Sequence, residues 1–147
     1  MMKIAIIHEH TSTIVDSDQI NINLNELGNV SPSSCVSIHL ADCMDYVPFA
    51  QRTALLDIAL SKLRRGGEIT ISGTNLSAAI RDVYNHTLSI EQINATIYNH
   101  RLSVDTLDSI KNYLIDTKHL VVVNYKQEGL YFSIKMERPI NDDSGTE

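Results

Sequence analysis

Little in this chain points to an extracellular, membrane-bound or nucleic-acid-binding protein. There are two cysteines, Cys35 and Cys43, and neither belongs to a CxxC pair. A chain of 147 residues can bury a real core without a disulfide staple, so two reduced thiols in an intracellular, cytoplasmic protein are expected. The basic residues form no run longer than Arg64-Arg65, and the net charge is −6. A broad basic face for nucleic acid is therefore disfavoured. The apolar run Ile4 to Ile7 stops at His8-Glu9-His10, too soon for a signal-peptide core, and no stretch approaches a membrane span. There is no Ser/His/Asp order, phosphate loop or internal repeat to support a hydrolase, kinase or solenoid. What is left is an ordinary globular composition, 43% hydrophobic and 20% charged, sized for one domain. We place that domain at residues 1–140, with a flexible acidic tail at 141–147.

The stretch from Ser37 to Asn75 reads as strand, loop, amphipathic helix, Gly-Gly turn and strand, which is one βαβ unit. Cys35 to Leu40 forms the first strand. Pro48 can open the helix. Gln51 to Arg65 then carries Leu55, Ile58, Ala59 and Leu63 at helical spacing, with Leu56 and Leu60 widening the stripe. Lys62, Arg64 and Arg65 suit a helix C-terminus, and Gly66-Gly67 is expected to stop it. Glu68 to Ser72 is the returning strand.

Before this unit, Lys3 to Ile7 reads as a buried strand, Ile14-Val15 as a very short one, and Gln19 to Leu27 as a half-buried strand with Ile20, Ile22 and Leu24 on one side. After it, Thr74 or Asn75 can cap a helix over Leu76 to Asn85. Leu88 to Arg101 is ambiguous, with Ser89 and Gln92 able to form a capping box. Ser103 is expected to cap a helix from Val104 to Thr117 built on Leu107, Ile110 and Leu114. Leu120 to Tyr125 and Leu130 to Glu137 form a hairpin turning at Gly129. Alternating strands and helices imply a mostly parallel sheet covered on both faces, closed by an antiparallel C-terminal hairpin.

This order resembles the class I S-adenosylmethionine-dependent methyltransferases. Ile38 to Pro48 (IHLADCMDYVP) is similar to that family's fourth strand and its acidic loop, with Asp45-Tyr46 where many members carry Glu-His. Arg64-Arg65-Gly66-Gly67 resembles the Pro-Gly-Gly turn before strand five, with Arg65 in place of proline. His119-Leu120-Val121 stands at the entry to strand six, without the usual Gly-Phe, and Arg138-Pro139 follows the last strand as in the family. The resemblance spans residues 35–139 and implies a compact Rossmann-like α/β fold with a shortened N-terminal half. It departs from the family at the front. The family's cofactor loop after strand one is glycine-rich, whereas here the first glycine is Gly28 and the loop reads His8-Glu9-His10-Thr11-Ser12-Thr13.

What the resemblance implies for function is a transferase using S-adenosylmethionine, with an unknown methyl acceptor and a degenerate active site. A partner or an oligomer would complete that site. The alternative is a catalytically inactive relative kept as a binding, assembly or structural subunit. The candidate catalytic residues are Asp42, Asp45 and Tyr46, at the carboxyl end of a central strand where open α/β sheets place ligands. The bland reading of the two acids is dipole-stabilised residues before a helix, and of Tyr46 simple packing. The candidate cofactor residues are His8, Glu9, Asp16 and Asp18, with one of the two aspartates standing for the acid that holds ribose hydroxyls. His8 and His10 with Asp16 or Asp18 could also hold a metal, or could be polar loop residues only. Asn75 could line the crevice or only cap a helix. A sheet with one shortened flank exposes apolar surface, so self-association or a partner protein is expected.

Overall fold

The computed structural model describes residues 2–8 and 18–140. Six strands form one sheet: β1 (Met2–Ile7), β2 (Ile20–Asn23), β3 (Cys35–Ala41), β4 (Leu63–Thr74), β5 (Val121–Glu128) and β6 (Tyr131–Glu137). Their spatial order is β2-β1-β3-β4-β6-β5. The first four run parallel, and β6 joins β4 and β5 antiparallel, as the C-terminal hairpin requires. The fold is thus mixed α/β with a mostly parallel sheet. No helix among the described residues is long and apolar enough to cross a membrane. The expected strand at Ile14-Val15 and the tail at 141–147 lie outside the described residues.

The register shows where the core sits. Ile4, Ile38, Ile69 and Met136 pair in one row across the sheet, and Ile6, Leu40, Ile71 and Ile134 in the next. All eight are buried, on one face, in a single cluster with Leu55, Leu56 and Ala59 of α1 (Arg52–Lys62) and Ile110 and Leu114 of α4 (Leu107–Lys118). The intervening row, Ala5, His39, Thr70 and Lys135, points the other way. His39, Thr70 and Lys135 of this row, with Ser37, Glu68, Ser133, Asn124 and Lys126, line a polar depression of about 340 Å³. Among the described residues, α1 and α4 pack on the first of these faces, while on the other face Ala5 and His39 are nevertheless buried. The strands themselves alternate between polar and apolar residues (Ser37-Ile38-His39-Leu40, Glu68-Ile69-Thr70-Ile71).

Other boundaries move for local reasons. The helix α1 ends at Lys62, ahead of the Gly-Gly pair, because Leu63 turns extended and enters the sheet opposite Cys35. The chain then bulges before Glu68 pairs with Ser37. Gly66 (φ +78°) and Gly67 make that bulge, not a helix cap. A Cβ on Gly67 would lie 2.9 Å from the Arg64 carbonyl oxygen. Arg138 clamps the bulge: its N–H donates to Gly67 O (2.9 Å), its carbonyl accepts from Gly66 N (2.7 Å), and its Nη1 donates to Leu63 O (2.7 Å). Ile58, expected in the buried stripe, is 47% exposed because the helix turns its 55/56/59/60 face inward. The Gln19–Leu27 strand is shorter, Ile20–Asn23, and passes into a 3₁₀ turn, Leu24–Asn29, that buries Leu27.

After β4, Asn75 caps α2 (Leu76–Tyr84) by accepting from Ser77 N at 3.2 Å. Ser89 and Gln92 form the capping box that opens α3 (Ile90–Thr96). The cap of α4 is Thr106, which accepts from Ser109 N, so the helix starts three residues later than Ser103 suggested. Ser103 has another task, described below. Ala79, Ile97 and Leu130 form a second small core under α2 and α3.

Candidate functional site

From β1 the sheet grows in both directions, to β2 on one side and to β3 on the other, so the carboxyl ends of β1 and β3 mark the topological switch point where open α/β sheets form their crevice. His8 follows β1 directly. After β3 the chain turns at Asp42, in the left-handed region (φ 61°), into a short 3₁₀ segment, Cys43–Tyr46. Aspartate tolerates that conformation better than most residues. The turn is held by Asp42 N, which donates to Ser72 O at 3.1 Å. It buries Cys43, whose thiol donates to Ile6 O at 2.8 Å and ties the loop to β1. Burial pushes the Cys43 thiol up to about 12.

Tyr46, at the end of this segment, is buried, and its ring stacks on that of His8 with centroids 4.4 Å apart and planes 12° from parallel. The two rings meet across the ends of β1 and β3. Burial raises the Tyr46 phenol above its ordinary value.

Asp45, the residue before Tyr46, sits in a buried ionic cluster. Its Oδ1 accepts from Arg52 Nη2 at 3.3 Å, and its Oδ2 accepts from Arg101 Nε at 3.2 Å and from the Thr74 backbone N–H at 3.1 Å. Gly73 permits this approach: a Cβ there would lie 3.2 Å from Oδ1. Arg52 continues the cluster to Ser103, whose Oγ accepts from its Nε at 2.7 Å and itself donates to Val47 O at 2.7 Å. Asp105 lies 3.9 Å from Arg52. The Asp45 carbonyl accepts from Leu102 N and Ser103 N, so the 101–105 segment is fastened to the loop by main chain as well. Burial pushes the Asp45 carboxyl up, opposed by the Thr74 hydrogen bonds and by Arg101 and Arg52. Burial likewise pulls Arg52 down against Asp45 and Asp105. Two guanidiniums within 3.3 Å favour the charged form against that burial.

The structure thus brings Asp42, Asp45, Tyr46 and His8 to one end of the sheet, where Arg101, Asp42 and Asp45 also act on the Tyr46 phenol. His8 and Tyr46 face each other; Asp45 faces the arginines. Asp18 stands elsewhere. β1 and β2 are parallel with Ile4 opposite Ile20, so Asp18 lies at the amino-terminal end of the sheet, where it pairs with Lys3 at 2.9 Å. It is therefore remote from the crevice and, with His8 at the other end of β1, cannot join a metal site there. Glu9, His10 and Asp16 lie outside the described residues. Asn75 caps both flanking segments, accepting also from Leu107 N, and donates to Gln127 Oε1 at 2.8 Å. Sequence reasoning missed Arg52, Arg101 and Ser103. Arg101 gave no signal at all. Arg52 did: a cation in the first turn of a helix opposes the dipole and asks for an acidic partner.

No protein-family model matches this chain, and no curated protein matches it. Solved structures do. An O-methyltransferase family protein from Burkholderia thailandensis is similar over 84% of this chain, with 16% identity and a TM-score of 0.58. A SAM-dependent methyltransferase from Archaeoglobus fulgidus is similar over 82%, with 8% identity and a TM-score of 0.52. The S-adenosylmethionine-dependent methyltransferase SibL in its apo form is similar over 84%, with 14% identity and a TM-score of 0.53. The chain spans 36% of the Burkholderia protein and of SibL, and 67% of the Archaeoglobus protein. What this chain shares with them is the methyltransferase-like fold.

Proposed function

We propose that this is a methyltransferase-fold protein serving as a binding or assembly subunit, with its crevice closed by its own side chains. The observation that carries this reading is the His8–Tyr46 stack across the ends of β1 and β3. S-adenosylmethionine is the group the fold implies, and the described residues do not fit it in this arrangement. Two ring faces are in contact at the switch point. Every position from His8 to Leu27 also carries a side chain, where glycine would let backbone approach a ligand. Asp45, the acid nearest to a catalytic position, is engaged by two arginines and a backbone N–H. The polar sheet face opposite α1 and α4 supports assembly with a second copy or a partner subunit, because parallel sheets are normally covered on both faces.

The second reading is methyl transfer from S-adenosylmethionine to an acceptor, with a partner or oligomer completing the site. What favours it is the retention of Asp42 and Asp45 at the carboxyl end of β3. Calorimetric titration of the purified chain with S-adenosylmethionine and S-adenosylhomocysteine tests the choice. The subunit reading predicts no heat at millimolar ligand. Micromolar binding would overturn it in favour of the enzyme.

A further inference from the structure

A second concavity lies beside the ionic cluster. It is formed by α2, α3 and the segment 97–104, with a volume of about 480 Å³, within the range of roughly 300–1,000 Å³ typical of small-molecule pockets. Its floor and walls are apolar: Ala79, Ile93 and Ile97 beneath, Ile80 and Val83 on the α2 side. Tyr84 and Tyr98 line it as well, 83% and 73% exposed, so two rings stand at its mouth. Aromatic side chains left in water beside an apolar hollow gain by stacking on a flat ligand, with little rotamer entropy to lose.

One charge reaches this hollow. Arg101 lines it, and its donors are only partly committed. Nε serves Asp45 and Thr74, and Nη1 serves the carbonyls of Thr96 and Asn99. Nη2 makes no hydrogen bond among the described residues, and Arg101 is the cationic residue lining the pocket. The guanidinium is also fixed in place by those four bonds and by the Tyr131 ring beside it, 6.0 Å from its centre. A pre-organised donor at the edge of an apolar, ring-flanked cavity matches a ligand with an aromatic body and one anionic head.

We propose that this pocket binds a small aromatic anion, its rings between Tyr84 and Tyr98 and its acid group on Arg101 Nη2. This goes beyond the subunit reading and does not depend on it: the pocket meets the ionic cluster at Arg101 and Ser103, and neither His8 nor Tyr46 lines it. The probe is 1-anilinonaphthalene-8-sulfonate, titrated into the full chain by fluorescence and calorimetry, with the uncharged N-phenyl-1-naphthylamine as comparison. The expected result is saturable binding of one sulfonate probe per chain, with a dissociation constant on the order of tens of micromolar, and binding of the uncharged probe about fivefold or more weaker. Tyr84→Ala with Tyr98→Ala should weaken the sulfonate probe about tenfold. Ile80→Asp, which adds a carboxylate to the wall, should weaken it by about tenfold or more. These three positions are exposed, so the variants keep the wild-type circular dichroism. Ile58→Asp, on the exposed side of α1, should leave binding unchanged. Non-saturating fluorescence, equal affinity for the uncharged probe, or wild-type affinity in Ile80→Asp would each overturn the proposal. Millimolar S-adenosylhomocysteine should not displace the probe, and displacement would place both in one site and overturn it as well.

Discussion

Replacing Asp45 separates a structural acid from a catalytic one. Its side chain is 3% exposed, and the side chains of Arg52 and Arg101 against it are 4% and 9% exposed. Asp45→Ala would leave two buried cations with one remaining acid, Asp105, 3.9 Å from Arg52 only. Removing one member of a buried pair typically destabilises by about 3–5 kcal/mol, because the partner's charge stays buried without compensation. The Thr74 N–H loses its acceptor at the same time, adding about 1 kcal/mol or more. Asp45→Asn keeps the shape and one acceptor oxygen, so about half of that loss is expected. Against a typical domain stability of about 5–15 kcal/mol, both are large changes. Urea unfolding followed by far-ultraviolet circular dichroism reads them as a lower midpoint at constant slope. The cycle sharpens the test: Asp45→Asn combined with Arg101→Gln should destabilise less than the sum of the two singles, with a coupling on the order of 1–3 kcal/mol. An Asp45→Asn protein within about 1 kcal/mol of the parent would show that Asp45 is not a structural acid, since a carboxylate kept for chemistry alone contributes little to the fold.

Other consequences can be checked with the same protein. Gly67→Ala drives a Cβ to 2.9 Å from the Arg64 carbonyl oxygen and should destabilise by about 1–3 kcal/mol, measured by urea midpoint, whereas Gly28→Ala, with open space around it, should change little. Gly73→Ala should displace the Asp45 carboxylate by a few tenths of an ångström and be milder than Gly67→Ala. Cys35 and Cys43 are fully buried, so neither should react with an aromatic disulfide reagent at pH 8 until the chain is unfolded, when both should. The Cys43 thiol is raised from 9.0 to about 12 on folding; the stability this contributes is complete below pH 9 and is lost as pH rises toward 12. The ceiling is about 4 kcal/mol, and Cys43→Ser should flatten that part of an alkaline unfolding curve. Light scattering on a size-exclusion column should show a mass above 16.4 kDa at high concentration or recovery of a bound partner, and a monomer with neither would count against the assembly reading.

The parts of this molecule written in local sequence were readable. Ser37 to Asn75 folds as a βαβ unit, Ser89 and Gln92 make their capping box, and Gly129 turns the hairpin. The capping box and the turn depend on neighbours within a few residues, and the βαβ unit on hydrophobic patterns within one continuous stretch. The end of α1 was less legible because two signals competed: Gly66-Gly67 reads as a helix stop, but buried Leu63 finds its place in the sheet first. The polar sheet face was legible in the alternation of Ser37, His39, Glu68, Thr70, Ser133 and Lys135. The acid at Asp45 was visible, but its partners were not. Arg101 is distant in sequence and sits in no motif, and the main-chain bonds from Leu102 and Ser103 to the Asp45 carbonyl that bring it there have no sequence signature. His8 and Tyr46 were separately visible as site candidates; that they face each other follows only from the order of β1 and β3 in the sheet.

The most direct test of the closed crevice is proton NMR of the His8 ring, with Tyr46→Leu as the reference. Stacking at 4.4 Å places the imidazole protons in the ring current of Tyr46. They should resonate upfield of their positions in Tyr46→Leu and stay unmoved when S-adenosylhomocysteine is added to millimolar concentration. His8 protons at ordinary shifts, or a saturable movement with the ligand, would contradict the closed crevice: it would then be open, and the chain would be read as a cofactor-binding methyltransferase.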